Sequence, residues 1–130
     1  MTLPMTVTVF SRYSVGEKTW FYPTVLPGVL YRPYTGQKLT SSGPERTGKT
    51  GTLWIPARGG RRSPEALAAA AQKDGLFTLL PGDFLIPGTV SDGEPILAPL
   101  RERYPDARRI LAVTARIYGT ALDHWEVELA

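Results

Sequence analysis

The chain contains no cysteine, a single histidine and no apolar run long enough to cross a membrane as a helix. Without thiols there is no disulfide framework, no cysteine-ligated zinc and no thiol nucleophile, so the fold must rest on packing or on partners. His124 alone is too few nitrogen donors for a zinc-type centre. The opening Met1-Thr2-Leu3-Pro4-Met5-Thr6-Val7 has neither the basic start nor the apolar core of a signal peptide. The expectation is a protein kept in the cytosol or built into something assembled there, with no membrane partner and no cofactor.

What is present describes an ordinary folded domain. Of 130 residues, 42% are hydrophobic and 21% charged, which predicts a single β-rich domain over residues 1–130. Twelve prolines and thirteen glycines fall between short apolar runs, the punctuation of strands joined by turns. Met5 to Tyr13 alternates with a period of two, with Val7 and Val9 on one face and Thr6, Thr8, Phe10 and Arg12 on the other. Lys18 to Tyr22 and Val25 to Tyr31 follow, and Pro23 and Pro27-Gly28 predict an edge or bent strand there. Gly51 to Ile55, Leu76 to Leu80, Asp83 to Pro87, Ala107 to Tyr118 and Asp123 to Leu129 are further extended runs. In the last of these Trp125, Val127 and Leu129 share one face, while His124, Glu126 and Glu128 share the other. The fold class that results is mainly β: a small antiparallel β-barrel or sandwich.

One short surface helix interrupts the strands, at about residues 64–74. Ser63 caps it, Pro64 takes the first helical position, Glu65 complements the dipole and Gly75 terminates it. Leu97 to Tyr104 has room for one or two further helical turns before Pro105. A long polar loop occupies about residues 34–50.

Within that loop Gly43-Pro44-Glu45-Arg46-Thr47-Gly48-Lys49-Thr50 fits G-x-x-x-x-G-K-[ST]. In a phosphate-binding loop successive N–H groups cradle the phosphates, the Lys reaches the outer ones and the hydroxyl holds magnesium. That geometry needs a buried strand before the motif and a helix after it. Here the preceding residues are polar, Gly51 to Ile55 reads as a strand, and Pro44 removes one amide donor. The favoured reading is a flexible basic loop.

The net charge of +3 and pI of about 9.4 are mildly basic, and the positive residues cluster. Arg32, Lys38, Arg46, Lys49, Arg58, Arg61 and Arg62 are opposed in that stretch only by Glu45. Lys38, Arg46, Lys49, Arg58, Arg61 and Arg62 are therefore the candidate assembly or DNA-contact residues. A solvated basic loop or an interface with an acidic partner explains the cluster equally well. Catalytic residues are not assembled by any pattern: His124 stands beside Asp123 without a nucleophile in sequence reach, and no G-x-S-x-G elbow is present. The pairs Asp92/Glu94 and Glu126/Glu128 have strand spacing, which also describes a solvated face. The chain is read as a non-enzyme.

Taken in order, the blocks Thr6 to Tyr13, Tyr22 to Val29, Leu53-Trp54-Ile55-Pro56, Phe77 to Gly88 and His124-Trp125-Glu126-Val127 resemble a family of small minor-structural proteins from tailed phages and prophages. The resemblance spans nearly the whole chain, and its motifs, F-T-L-x-x-G-D and the terminal H-W-E-V, describe strands and turns. It implies a ring-forming head–tail connector (neck), head-closure or minor capsid component without catalytic residues. Its partners would be other phage structural proteins, on the portal or tail side, with contact to packaged DNA, and its location the virion, assembled in the bacterial host cytoplasm. The alanine-rich helix and the segment Arg58 to Arg62 depart from that pattern. Two alternatives stand beside this reading: a stand-alone nucleic-acid-binding β-domain, and a nucleotide-binding protein using the Gly43–Thr50 loop.

Overall fold

A computed structural model describes residues 5–33, 39–40, 43–44, 51–90 and 94–130. In chain order the elements are β1 (Met5–Val15), β2 (Lys18–Pro33), β3 (Leu39–Thr40), β4 (Gly43–Pro44), β5 (Gly51–Pro56), α1 (Pro64–Ala69), β6 (Phe84–Pro87), β7 (Ile96–Leu97), a 3-10 turn (Leu100–Glu102), β8 (Arg108–Arg116) and β9 (His124–Leu129). Six of the strands close on themselves in the order β1-β6-β8-β9-β5-β2, because β2 also pairs with β1. Every pairing is antiparallel, so the fold is a small closed β-barrel, and β7 adds a short flap to the outer edge of β2.

β2 makes closure possible by changing partners along its length. Lys18 to Val29 pair with β1 and the last residues, Leu30 to Pro33, pair with Gly51 to Trp54 of β5. Between the pairs Val7↔Leu26 and Met5↔Val29, β2 spans Pro27-Gly28 while β1 spans only Thr6, a bulge that bends the strand. Gly28 takes a φ of 72° at this corner, where a side chain would be strained. The bent strand expected from the prolines is therefore one continuous 16-residue element.

Alternation decides what fills the barrel. Val7, Val9, Leu26, Val29, Leu53, Ile55, Leu85, Ile110, Trp125, Val127 and Leu129 pack with Phe77 and Leu79 into the main core. Each such buried side chain contributes about 2 kcal/mol by area. Phe77 and Leu79 come from a segment that is not a regular strand, in contrast to the extended run expected over Leu76 to Leu80. It is held by side-chain acceptors as well as backbone ones: Ser11 Oγ accepts from Thr78 N at 2.9 Å, and Asp83 accepts from the Thr78 hydroxyl and the N–H of Leu80.

Strand β1 is buried on both faces, where alternation alone predicts a wet face for Thr8 and Phe10. Val90 and the segment from Ile96 to Ala107 fold back over that face. Phe10, Phe21, Ile96, Leu100 and Ala107 form a second core there, joined by Tyr104, whose ring centroid lies 5.0 Å from that of Phe10.

The helix is shorter than expected, ending at Ala69 with Ala70 already extended. Its N-terminus is as expected: Ser63 Oγ accepts from Ala66 N at 3.2 Å and Pro64 opens the first turn. Only Leu67 is buried, against Tyr13 and Tyr22, so extending the helix to Gly75 would bury nothing more. The chain instead uses Ala70 to Leu76 to enter the barrel at Phe77, and Asp74 receives the Tyr22 hydroxyl at 2.6 Å on the way. Burial and that bond push the Tyr22 hydroxyl up to about 12.

Candidate binding surface

The outer faces of β2, β5, β9 and β8 form a four-strand grid whose content follows from register. Leu30, Trp54, Glu126 and Thr114 are successive cross-strand neighbours, Arg32, Thr52, Glu128 and Ala112 make a second row, and Pro56, His124 and Arg116 a third. Their in-between neighbours Leu53, Ile55, Trp125, Val127 and Leu129 point into the core. The pleat therefore pins this outer set once the inner set is buried.

Trp54 remains 39% exposed at the centre of the grid. Its ring stacks on His124 with centroids 4.1 Å apart and an interplanar angle of 13°. His124 Nδ1 lies 2.9 Å from the Leu122 carbonyl and Nε2 lies 3.2 Å from Glu126 Oε1. Because a carbonyl only accepts, Nδ1 carries the proton in this arrangement. Glu126 Oε2 in turn faces Arg116 Nε at 3.7 Å, closing a chain from aromatic to guanidinium across three strands. Beside the stack, Leu30, Trp54, Pro56, Ala121, Leu122 and His124 bound an open, mostly apolar groove of about 370 Å³.

One wall of the groove is Ala121 to Asp123 of the β8–β9 connection, which also carries the exposed Ile117 (49%), Tyr118 (73%) and Leu122 (83%). Asp123 holds this tip in shape: its carboxylate accepts from the N–H groups of Tyr118 at 2.9 Å, Thr120 at 3.1 Å and Gly119 at 3.2 Å. Donation from Tyr118 and Thr120 pulls Asp123 below the ordinary carboxylate value. An exposed apolar tip braced by its own hydrogen bonds suits contact with another protein surface.

Of the candidate basic residues the structure describes Arg58, Arg61 and Arg62. Lys38, Arg46 and Lys49 lie outside the described residues. Arg58 and Arg61 are committed to the fold. Arg58 donates from Nη1 to the Pro27 carbonyl at the β2 corner (2.7 Å) and from Nε to Pro56 O (3.1 Å), and burial holds it below the usual guanidinium value. Arg61 donates to Leu79 O at 3.1 Å and sits over the Trp125 ring, 5.2 Å from its centroid. Arg62 is exposed, and its Nη1 donates back to the Arg61 carbonyl. The connection that contains Lys38 to Lys49 leaves β2 and enters β5 at the pair Pro33↔Gly51, whereas Arg58 follows the opposite end of β5.

The Gly43–Thr50 motif continues into the strand β5, where a phosphate cradle would continue into a helix. Its lysine and threonine lie outside the described residues; Gly43 and Pro44 pair with Thr40 and Leu39 as a two-residue hairpin. Glu126 and Glu128 share the outer face, as their spacing predicts, and Glu126 is engaged by His124 and Arg116. Asp92 lies outside the described residues, and Glu94 is exposed. Among the described residues, no cluster of three or more His, Asp or Glu side chains is grouped to hold a metal ion, and no helix is long and apolar enough to cross a membrane.

A family model matches residues 2–129. The chain belongs to DUF6751, a family of unknown function. No curated protein and no solved structure matches it. For this DUF6751 member the surface must therefore be read from its own residues. Sequence reasoning had singled out His124 and placed it on the polar face, but not its stack with Trp54. The signal available was Trp54 standing at the outward position of the alternation Leu53-Trp54-Ile55, a large aromatic where a polar residue is usual.

Proposed function

We propose that this chain is a non-catalytic structural subunit that works through protein–protein contact: a ring-forming head–tail connector, head-closure or minor capsid component of a tailed-phage or prophage particle. The observation that carries the contact role is the braced β8–β9 tip, with Tyr118 exposed on it and Leu122 exposed at the Trp54 groove, on a closed barrel. The particle context rests on the resemblance of the strand and turn blocks. In this reading the partners are portal-side or tail proteins and further copies of the chain, and the protein resides in the virion after assembly in the host cytoplasm. A nucleic-acid-binding role has less support, since Arg58 and Arg61 already serve the β2 corner and the Trp125 end of the barrel.

The test is quantitative mass spectrometry of particles purified from the source strain, with and without Leu122→Asp. The chain should be present at a low fixed ratio to the major capsid protein, and the variant should be lost from particles while remaining folded in the cell extract. Absence of the wild-type chain from intact particles overturns the particle reading.

A further inference from the structure

Part of one edge of strand β8 is not used by the barrel. On its inner-barrel side it pairs with β9 from Ile110 to Arg116, whereas β6 meets it only at Arg108 and Arg109. Which backbone groups face outward can be worked out from the neighbouring bonds. Ala57 N donates to Asp123 O at 2.9 Å, which aims Asp123, and with it Trp125, Val127 and Leu129, at β5. His124, Glu126 and Glu128 then face β8, where they meet Arg116, Thr114 and Ala112. The N–H and C=O groups of Val113 and Ala115 consequently point to the other edge. Further down that edge, Ile110 is satisfied by the turn before β6, donating to Asp83 O and accepting from Gly82 N. Among the described residues no backbone partner occupies the edge at Val113 and Ala115.

Such an edge is ordinarily blunted by Pro, Lys, an inward charge or a bulge at its free end. β8 carries its bulge between Ile110 and Ala112, away from the open end of the strand, and from Ala112 to Ile117 there is no Pro, Gly, Lys, Asp or Glu; Arg116 is the single charge, already facing Glu126. Thr114, Ala115 and Arg116 are exposed, and the strand runs directly into the apolar Ile117 and Tyr118.

We propose that in the free protein this edge is covered by a second copy of the chain, β8 pairing with its partner's β8 in antiparallel fashion about a two-fold axis at Thr114. The register suits the sequence. Val113 pairs with the partner's Ala115 and Ala115 with the partner's Val113, which gives four backbone hydrogen bonds from the groups that lack partners. On the outer face Thr114 stands opposite the partner's Thr114, a favourable pair, and Arg116 opposite the partner's Ala112, so no like charges oppose each other. The contact is isologous and closes after two copies. It goes beyond the particle reading and does not depend on it.

Sedimentation and light scattering of the full chain test this. The expected result is a concentration-dependent species of twice the 14.3 kDa chain mass. Ala115→Pro removes an N–H that faces the edge and takes no part in the β9 ladder, so it should keep the wild-type circular dichroism and weaken the dimer about tenfold or more. Thr114→Cys, the only thiol in its chain, should form an intermolecular disulfide under mild oxidation, because the register brings the two Cβ atoms within bridging distance, whereas Ser14→Cys should not. A monomer at every concentration, a higher oligomer, a dimer that persists in Ala115→Pro, or no cross-link through Thr114→Cys overturns the proposal. The cross-link decides alone if the proline variant fails to fold. A dimer in a chain absent from particles would sink the particle reading and leave this one standing.

Discussion

Two aspartates in this molecule do the same job in opposite surroundings. Asp83 closes the turn from Thr78 to Asp83 by accepting from the N–H groups of Leu80 and Arg12 and from the Thr78 hydroxyl (2.5 Å). Asp123 closes the β8–β9 tip by accepting from three backbone N–H groups. Asp83 is buried under the barrel wall, and desolvation raises its pKa despite those bonds and the nearby Arg12 charge. Asp123 is only half-buried, and the same kind of bond lowers its pKa. Hydrogen bonds favour the carboxylate at both sites, and solvent access decides which way each group moves. The buried turn is thus part of the core's architecture, while the exposed one shapes a surface.

That contrast can be broken most sharply by deletion. Asp83→Ala leaves three donors without their acceptor, one in a buried bond and two in partly buried ones, and should cost about 3 kcal/mol in denaturant unfolding. Asp123→Ala should cost clearly less and chiefly alter the tip, visible as faster amide exchange at Tyr118 to Thr120. Equal losses would mean that burial does not separate the two turns.

The glycines of the two turns give a middle-sized effect. Gly82 has a φ of 96°, and a Cβ there would meet the Arg12 guanidinium at 3.2 Å; Gly119 has a φ of 79° with open space around it. Both Gly→Ala variants should lose about 1 kcal/mol from backbone strain, with Gly82→Ala losing more because Arg12 must also move. Thermal midpoints in the reverse order would refute the packing around Gly82.

The smallest effect, and the most specific, is in pH. Asp83 has a folded pKa raised above its ordinary 3.8, so its contribution is fully present below that value and is lost as pH rises through the raised one. Asp123 has a folded pKa below 3.8, so its contribution is present above that value and is lost as pH falls through the depressed one. The stability gap between wild type and Asp83→Asn should therefore widen on acidification from neutral pH, and the gap to Asp123→Asn should narrow below the ordinary carboxylate value. Parallel trends in the two series would contradict the opposite shifts.

Much of the barrel was legible in advance because local rules and the fold agree. The alternation of Trp125, Val127 and Leu129, the capped start of α1 at Ser63-Pro64 and the bend at Pro27-Gly28 are all properties of short windows. The length of α1 was not, since alanine propensity favours a longer helix while the chain leaves it at Ala69 and brings Phe77 into the core eight residues on. Nor was the burial of Thr8 and Phe10, which depends on the far segment carrying Ile96, Leu100 and Tyr104. Nor could nearness in sequence show that Arg58 follows the end of β5 opposite the pair Pro33↔Gly51 and is held there by the Pro27 carbonyl.

By itself the sequence determined a mainly β domain without thiol chemistry, because composition, period-two alternation and turn residues act over a few residues and need no partner. Only the tertiary structure decided that six strands close into a barrel, that Trp54 meets His124, and that one edge of β8 is left over. Those are matters of register between segments tens of residues apart, and register is set by which faces the assembled core can bury.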